Sequence, residues 1–86
     1  MQFTKAIILT ETDFRVLVNN ILDGIVDYDE VDEANPSEHA EEIASEMWEY
    51  VVEGQDVDCL LVYVDGRSRK LYSEDDLFLL IKWYYD

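Results

Sequence analysis

Val57-Asp58-Cys59-Leu60-Leu61-Val62-Tyr63-Val64-Asp65-Gly66-Arg67-Ser68-Arg69-Lys70-Leu71-Tyr72 is the stretch that decides the fold. Val57 to Val64 is rich in β-branched and apolar residues, the composition of a strand. Asp65-Gly66 follows as a strong two-residue hairpin signal. Arg67 to Tyr72 then returns as the partner strand. Neither half alternates cleanly, so the pattern leaves the strand order open.

Working outward, Ser73-Glu74-Asp75-Asp76 reads as a helix start with acids in its first turn. The helix that follows, Glu74 to about Tyr84, carries Leu77, Phe78, Leu79, Leu80, Ile81, Trp83 and Tyr84, with Tyr85 next. It is apolar nearly all round, which implies deep burial or a subunit interface. Upstream, Ala40, Ile43, Ala44, Met47, Trp48, Val51 and Val52 recur at helical spacing, with Ser37 as an N-cap and Gly54 as a C-cap. This predicts a helix over about 38–53. Tyr28 to Pro36 reads as a loop, since Pro36 discourages helix at Asn35. Phe14, Leu17, Val18, Ile21, Leu22 and Ile25 predict a helix over about 12–27, weakened by Gly24. Phe3 to Leu9 ends in an apolar run suited to a buried strand. The expected order is β-α-α-β-β-α: one α+β domain over residues 1–86, with a three-stranded sheet and its hairpin packed against helices.

The surface of this domain is abnormal. The formal net charge is -15 on 86 residues, and no Lys or Arg occurs between Arg15 and Arg67. A small soluble domain needs a net charge of only about 2–8, and the excess opposes compaction through self-repulsion. The hydrophobic fraction of 49% and aromatic fraction of 13% are too high for a disordered acidic tail. On the predicted second helix, Glu38, Glu42, Glu46, Glu49 and Glu53 fall opposite the apolar side, with Glu41 at the flank. Neighbours on this row rise about 4.5–6 Å per step. Like charges at such spacings cost a few tenths of a kcal/mol each, and no Lys is interleaved to recover it. Asp27, Asp29, Glu30, Asp32 and Glu33 from the loop, with Asp56 and Asp58 beyond the helix, supply a second row. Duplex DNA carries one negative charge per roughly 1.7 Å of axis. A doubled row of carboxylates is therefore suited to a groove built for phosphates.

Small size, extreme acidity and aromatics set among acids, as in Tyr28-Asp29-Glu30 and Glu46-Met47-Trp48-Glu49-Tyr50, carry a resemblance. The chain resembles the small phage-encoded DNA-mimic inhibitors, the class of Ocr-like anti-restriction proteins and acidic anti-CRISPR proteins. The likeness spans roughly residues 23–58 and rests on composition. It implies a non-enzymatic inhibitor whose partner is a basic nucleic-acid-binding protein of the host. The phosphate-like residues would be Asp27, Asp29, Glu30, Asp32, Glu33, Glu38, Glu41, Glu42, Glu46, Glu49, Glu53 and Asp56. Trp48 and Tyr50 are expected to position the helix rather than touch the target. The alternative is an immunity protein or antitoxin neutralising a basic toxin or nuclease, and a third reading is an acidic assembly adaptor. The Arg67-Ser68-Arg69-Lys70 cluster departs from a uniformly acidic surface, and is expected on a different face or paired with acids of the chain.

Other chemistry has little to work with. His39 is the only histidine and reads as a surface residue, and Cys59 as a buried, inert thiol. The lone cysteine excludes an internal disulfide, which suits a cytoplasmic protein, or the host cytoplasm for a phage product. No zinc spacing or Gly-rich phosphate loop occurs. Asp27, Asp29 and Glu38 match positions 1, 3 and 12 of a calcium loop, but Asp32 stands where Gly is required. No cofactor and no metal are expected. The charge disfavours direct nucleic-acid binding and anionic membranes. The aromatics Tyr72, Trp83, Tyr84 and Tyr85 are expected in the core or at a homodimer seam through the C-terminal helix.

Overall fold

A computed structural model of the chain describes residues 5–29 and 35–86, with the side chains of 26–29 outside the described set. Its elements are β1 (Ala6–Leu9), α1 (Glu11–Asp29), a 3-10 turn (Pro36–His39), α2 (Ala40–Val51), β2 (Cys59–Val64), β3 (Arg67–Leu71) and α3 (Glu74–Tyr85). The fold is α+β in the expected order β-α-α-β-β-α, and the sheet has three strands. Phe3 and Thr4, expected in the first strand, lie outside the described residues.

The strand order left open by the sequence is β1-β2-β3. β2 is central, parallel to β1 and antiparallel to β3. A parallel neighbour needs a crossover connection, and α1 and α2 provide it. The antiparallel neighbour needs only the tight turn at Asp65-Gly66. Both turn residues have positive φ, 52° and 73°, the backbone that a hairpin turn matched to strand twist demands.

Leu60, Val62 and Val64 of β2 are buried, whereas Leu61 is half-buried and Tyr63 exposed. One sheet face is therefore packed and the other open, as antiparallel pairing allows. One buried cluster joins this face to three helical pairs four residues apart: Phe14 and Val18, Ile43 and Met47, Leu77 and Ile81. Such pairs stack on one side of a helix. Among the described residues no polar or charged side chain is buried with them. Cys59 is buried with a free thiol.

The helix boundaries depart from the sequence pattern in explicable ways. At α1, the Asp13 N–H donates to Thr10 Oγ1 at 3.1 Å and the Thr10 N–H to Asp13 Oδ2 at 3.4 Å. This reciprocal cap starts the helix at Glu11. The helix continues through Gly24 to Asp29, so Tyr28 and Asp29 are helical rather than loop. A mid-helix Gly costs about 1 kcal/mol, and burial of Leu22 and Ile25 on either side offsets it. Ser37 is not the N-cap of α2. Instead Asn35 Oδ1 accepts the Ser37 N–H at 3.1 Å and caps the 3-10 turn, which Pro36 opens. α2 continues from that turn at Ala40 and ends at Val51. Gly54, at φ 83°, turns the chain away beyond it.

Candidate functional site: an acidic helix face

Ala40, Ile43, Ala44 and Met47 are all buried, which fixes the rotation of α2. The same rotation sends Glu41, Glu42, Glu46 and Glu49 into solvent. Glu38 in the preceding turn and Glu53 beyond the helix are also exposed. From Glu41 to Glu49, within α2, the row extends about 12 Å at helical rise.

These carboxylates are not neutralised locally. Among the described residues the one salt bridge joins Lys5 Nζ to Asp56 Oδ2 at 2.9 Å. Asp56 thus differs from the helical acids, although it remains 97% exposed. Its neighbour Asp58 accepts the Lys5 N–H at 3.0 Å. Both hold the start of β1 to the approach to β2, so the second row beyond the helix has a structural tie that the glutamates lack.

The fold adds acids to the face that the sequence did not assign to it. α3 packs beside α2, and its first turn brings Glu74 and Asp75 alongside. A groove of about 340 Å³ between the helices is lined by Glu41, Ser45, Glu74, Asp75 and Phe78. An adjoining one of about 230 Å³ is lined by Ser45, Trp48, Glu49, Glu53 and Glu74. The acids of α3 were visible as a helix start. Their place next to α2 depends on tertiary packing, which no local pattern carries.

On the other flank, Glu46 and Tyr50 border a groove of about 400 Å³ formed with Leu17, Asn20, Ile21 and Gly24 of α1. Trp48 is half-buried and packs against the core. Tyr50 is not: it is 79% exposed and fixes nothing in the core. It belongs with the exposed face.

Asp27 and Asp29 fall in the last turn of α1, with side chains outside the described set. Glu30, Asp32 and Glu33 lie outside the described residues, as does part of the calcium-like window. Among the described residues no group of three or more His, Cys, Asp or Glu side chains is arranged to hold a metal ion. No described helix is long and apolar enough to cross a membrane.

The basic residues are segregated. Arg67, Arg69 and Lys70 are exposed on β3, and Lys82 on α3, four of the six in the chain. Among the described residues none of them forms a salt bridge, and the Arg69 guanidinium instead stands 5.1 Å from the Trp83 ring centre. What the α2 face offers chemically is therefore an uncompensated array of hydrogen-bond acceptors with negative charge, suited to Arg and Lys side chains. Comparison with known proteins finds no matching family model, no matching curated protein and no matching solved structure.

Proposed function

We propose that this protein is a non-enzymatic DNA-mimic inhibitor that blocks the nucleic-acid-binding groove of a host defence or DNA-processing enzyme, in the manner of anti-restriction or anti-CRISPR proteins. One observation carries the proposal: an exposed row of glutamates on α2, held in fixed rotation by a buried opposite side, with no cation paired to it among the described residues. Leaving like charges unpaired at helical spacing costs stability, and a basic partner groove would recover that cost on binding. Glu38, Glu41, Glu42, Glu46, Glu49 and Glu53 act as the phosphate-like charges, with Glu74 and Asp75 extending the array. Asp27, Asp29, Glu30, Asp32, Glu33 and Asp56 complete the set of phosphate-like charges in this reading. Encounter is steered by charge and weakened by salt. The site of action is the host cytoplasm.

The test is capture from nuclease-treated host lysate at low salt, beside a variant with Glu42, Glu46, Glu49 and Glu53 all changed to Gln. A nucleic-acid-binding protein that the variant fails to retain, and that added duplex displaces, supports mimicry. A partner indifferent to duplex and to those glutamates sinks it and favours toxin neutralisation.

A further inference from the structure

We propose that the open edge of β3, with the groove behind it, binds an extended acidic peptide that adds to the sheet as a fourth strand. This surface is separate from the glutamate row and owes nothing to mimicry. Among the described residues β3 is an edge strand, so one side of its backbone has no strand partner there. Between β3 and α3 lies a groove of about 510 Å³. Tyr72, Leu79 and Trp83 line it and are 60%, 62% and 53% exposed. Asp76 also borders the groove, but its carboxylate already accepts the Tyr72 N–H at 2.9 Å.

Charged residues on an edge strand are a common guard against unwanted pairing. That accounts for Arg67, Arg69 and Lys70 but not for three large apolar side chains left exposed beside them. An unpaired backbone, an apolar groove and a basic rim together form a strand-addition site. Charge selects the occupant. A second copy would bring a net charge of -15, and its own basic β3 against this one. A short acidic peptide carries less repulsion. Beyond about 8 Å the rest of the acidic chain is screened at physiological salt. Successive side chains of an added strand point to opposite faces. One set enters the groove against Leu79 and Trp83. The other carries its carboxylates over the open face beside Lys70, while Arg67 and Arg69, opposite the buried Val64 and Val62, stand on the groove side.

The experiment uses the intact chain and a fluorescein-labelled peptide of alternating glutamate and valine, followed by anisotropy. Saturable binding is expected. The double variant Arg69→Glu, Lys70→Glu should weaken it about tenfold, the scale of two exposed charge contacts. Leu79→Ser should weaken it as well, and circular dichroism of each variant should match the parent because these side chains are exposed. N-methylating alternate peptide residues should abolish binding in one register and spare it in the other. Gln replacements on α2 should leave binding unchanged. The proposal is overturned if a lysine-valine peptide binds the α2 Gln variant equally, if the double variant has no effect, or if both methylation registers behave alike. A dimer seen by sedimentation and dispersed by Leu79→Ser would also overturn it, by making a second copy the occupant.

Discussion

The carboxylate of Glu11 accepts the Tyr84 hydroxyl at 3.1 Å, joining residues 73 apart in sequence. Its other oxygen accepts the Asp65 N–H at 2.6 Å. One side chain in the first turn of α1 therefore ties down the end of α3 and the turn between β2 and β3. Asp65 holds a positive φ of 52°, uncommon for a residue other than Gly although Asp adopts it more readily than most, and the bond helps fix it there. Glu11→Ala should cost about 1–3 kcal/mol and Tyr84→Phe about 1 kcal/mol, the range for hydrogen bonds to a charged and part-buried group. Urea melts of both singles and the double would show less than additive loss, because the two share a bond. Additive losses would mean that the contact carries no coupling energy.

Alkaline pH should expose the same contact. Burial raises the Tyr84 pKa above its ordinary 10.0, helped by the hydrogen bond to Glu11 and its charge. Burial likewise raises that of Tyr85, with Tyr84 contributing. A phenol whose folded pKa is raised stabilises the fold fully below the unfolded value, and that contribution is lost as pH rises through the folded pKa. Unfolding free energy should thus be flat in these groups below pH 10.0 and fall above it. The fall should be shallower in Tyr84→Phe. Melts across the alkaline range, with phenolate absorbance read in parallel, check the sign.

Tyr85 should behave in the opposite way on truncation. Its hydroxyl is buried with no hydrogen-bond partner among the described residues, while its ring packs on Phe14 and Tyr84. Burying an unpaired hydroxyl costs about 1–3 kcal/mol by mutational measures. Tyr85→Phe keeps the ring and removes the cost, so it should hold or raise stability where Tyr84→Phe lowers it. Loss of stability in Tyr85→Phe would reveal a partner for the hydroxyl.

How much of this was legible in the sequence varied with how local the cause was. Asp65-Gly66 announced the hairpin because a tight turn is decided by two residues. The buried side of α2 was legible from Ala40, Ile43, Ala44 and Met47, since helical period alone places them together. The boundaries of α1 were less so: the apolar period runs to Ile25 and predicted an end near residue 27, whereas the helix continues to Asp29. The apolar wrap of α3 pointed to deep burial or an interface. In the fold, Leu77, Leu80 and Ile81 are buried while Leu79 and Trp83 face outward. The α2–α3 acidic groove was out of reach, because Glu74 meets Glu41 only through packing of two helices far apart in the chain.

The charge on α2 has a price in stability that salt and sequence should both relieve. Glu42, Glu46 and Glu49 are exposed neighbours with no cation near them among the described residues. Raising sodium chloride from low to molar levels should raise the melting temperature, since exposed charges are screened beyond about 3 Å at 1 M salt. Glu46→Lys places a lysine four residues after Glu42, the favourable order for a helical pair, and should add about 0.2–0.5 kcal/mol. The same change should weaken capture of the basic target. A variant both more stable and less active is the signature of charge kept for binding.

Trp48 and Tyr50 make the sharpest contrast on the face, because they sit two residues apart and differ in burial. Trp48 packs against the core, so Trp48→Ala should cost about 2–3 kcal/mol, somewhat less than for a fully buried aromatic. Tyr50 is 79% exposed, and Tyr50→Ala should stay within about 0.5 kcal/mol of the parent, as is usual for surface positions. An exposed aromatic among carboxylates can lie against Arg side chains of a basic groove by cation–π contact. Tyr50→Ala should therefore weaken target capture while melting like the parent, and Tyr50→Phe should restore it. If Tyr50→Ala binds as well as the parent, the aromatic ring plays no part in the contact and the carboxylates act alone.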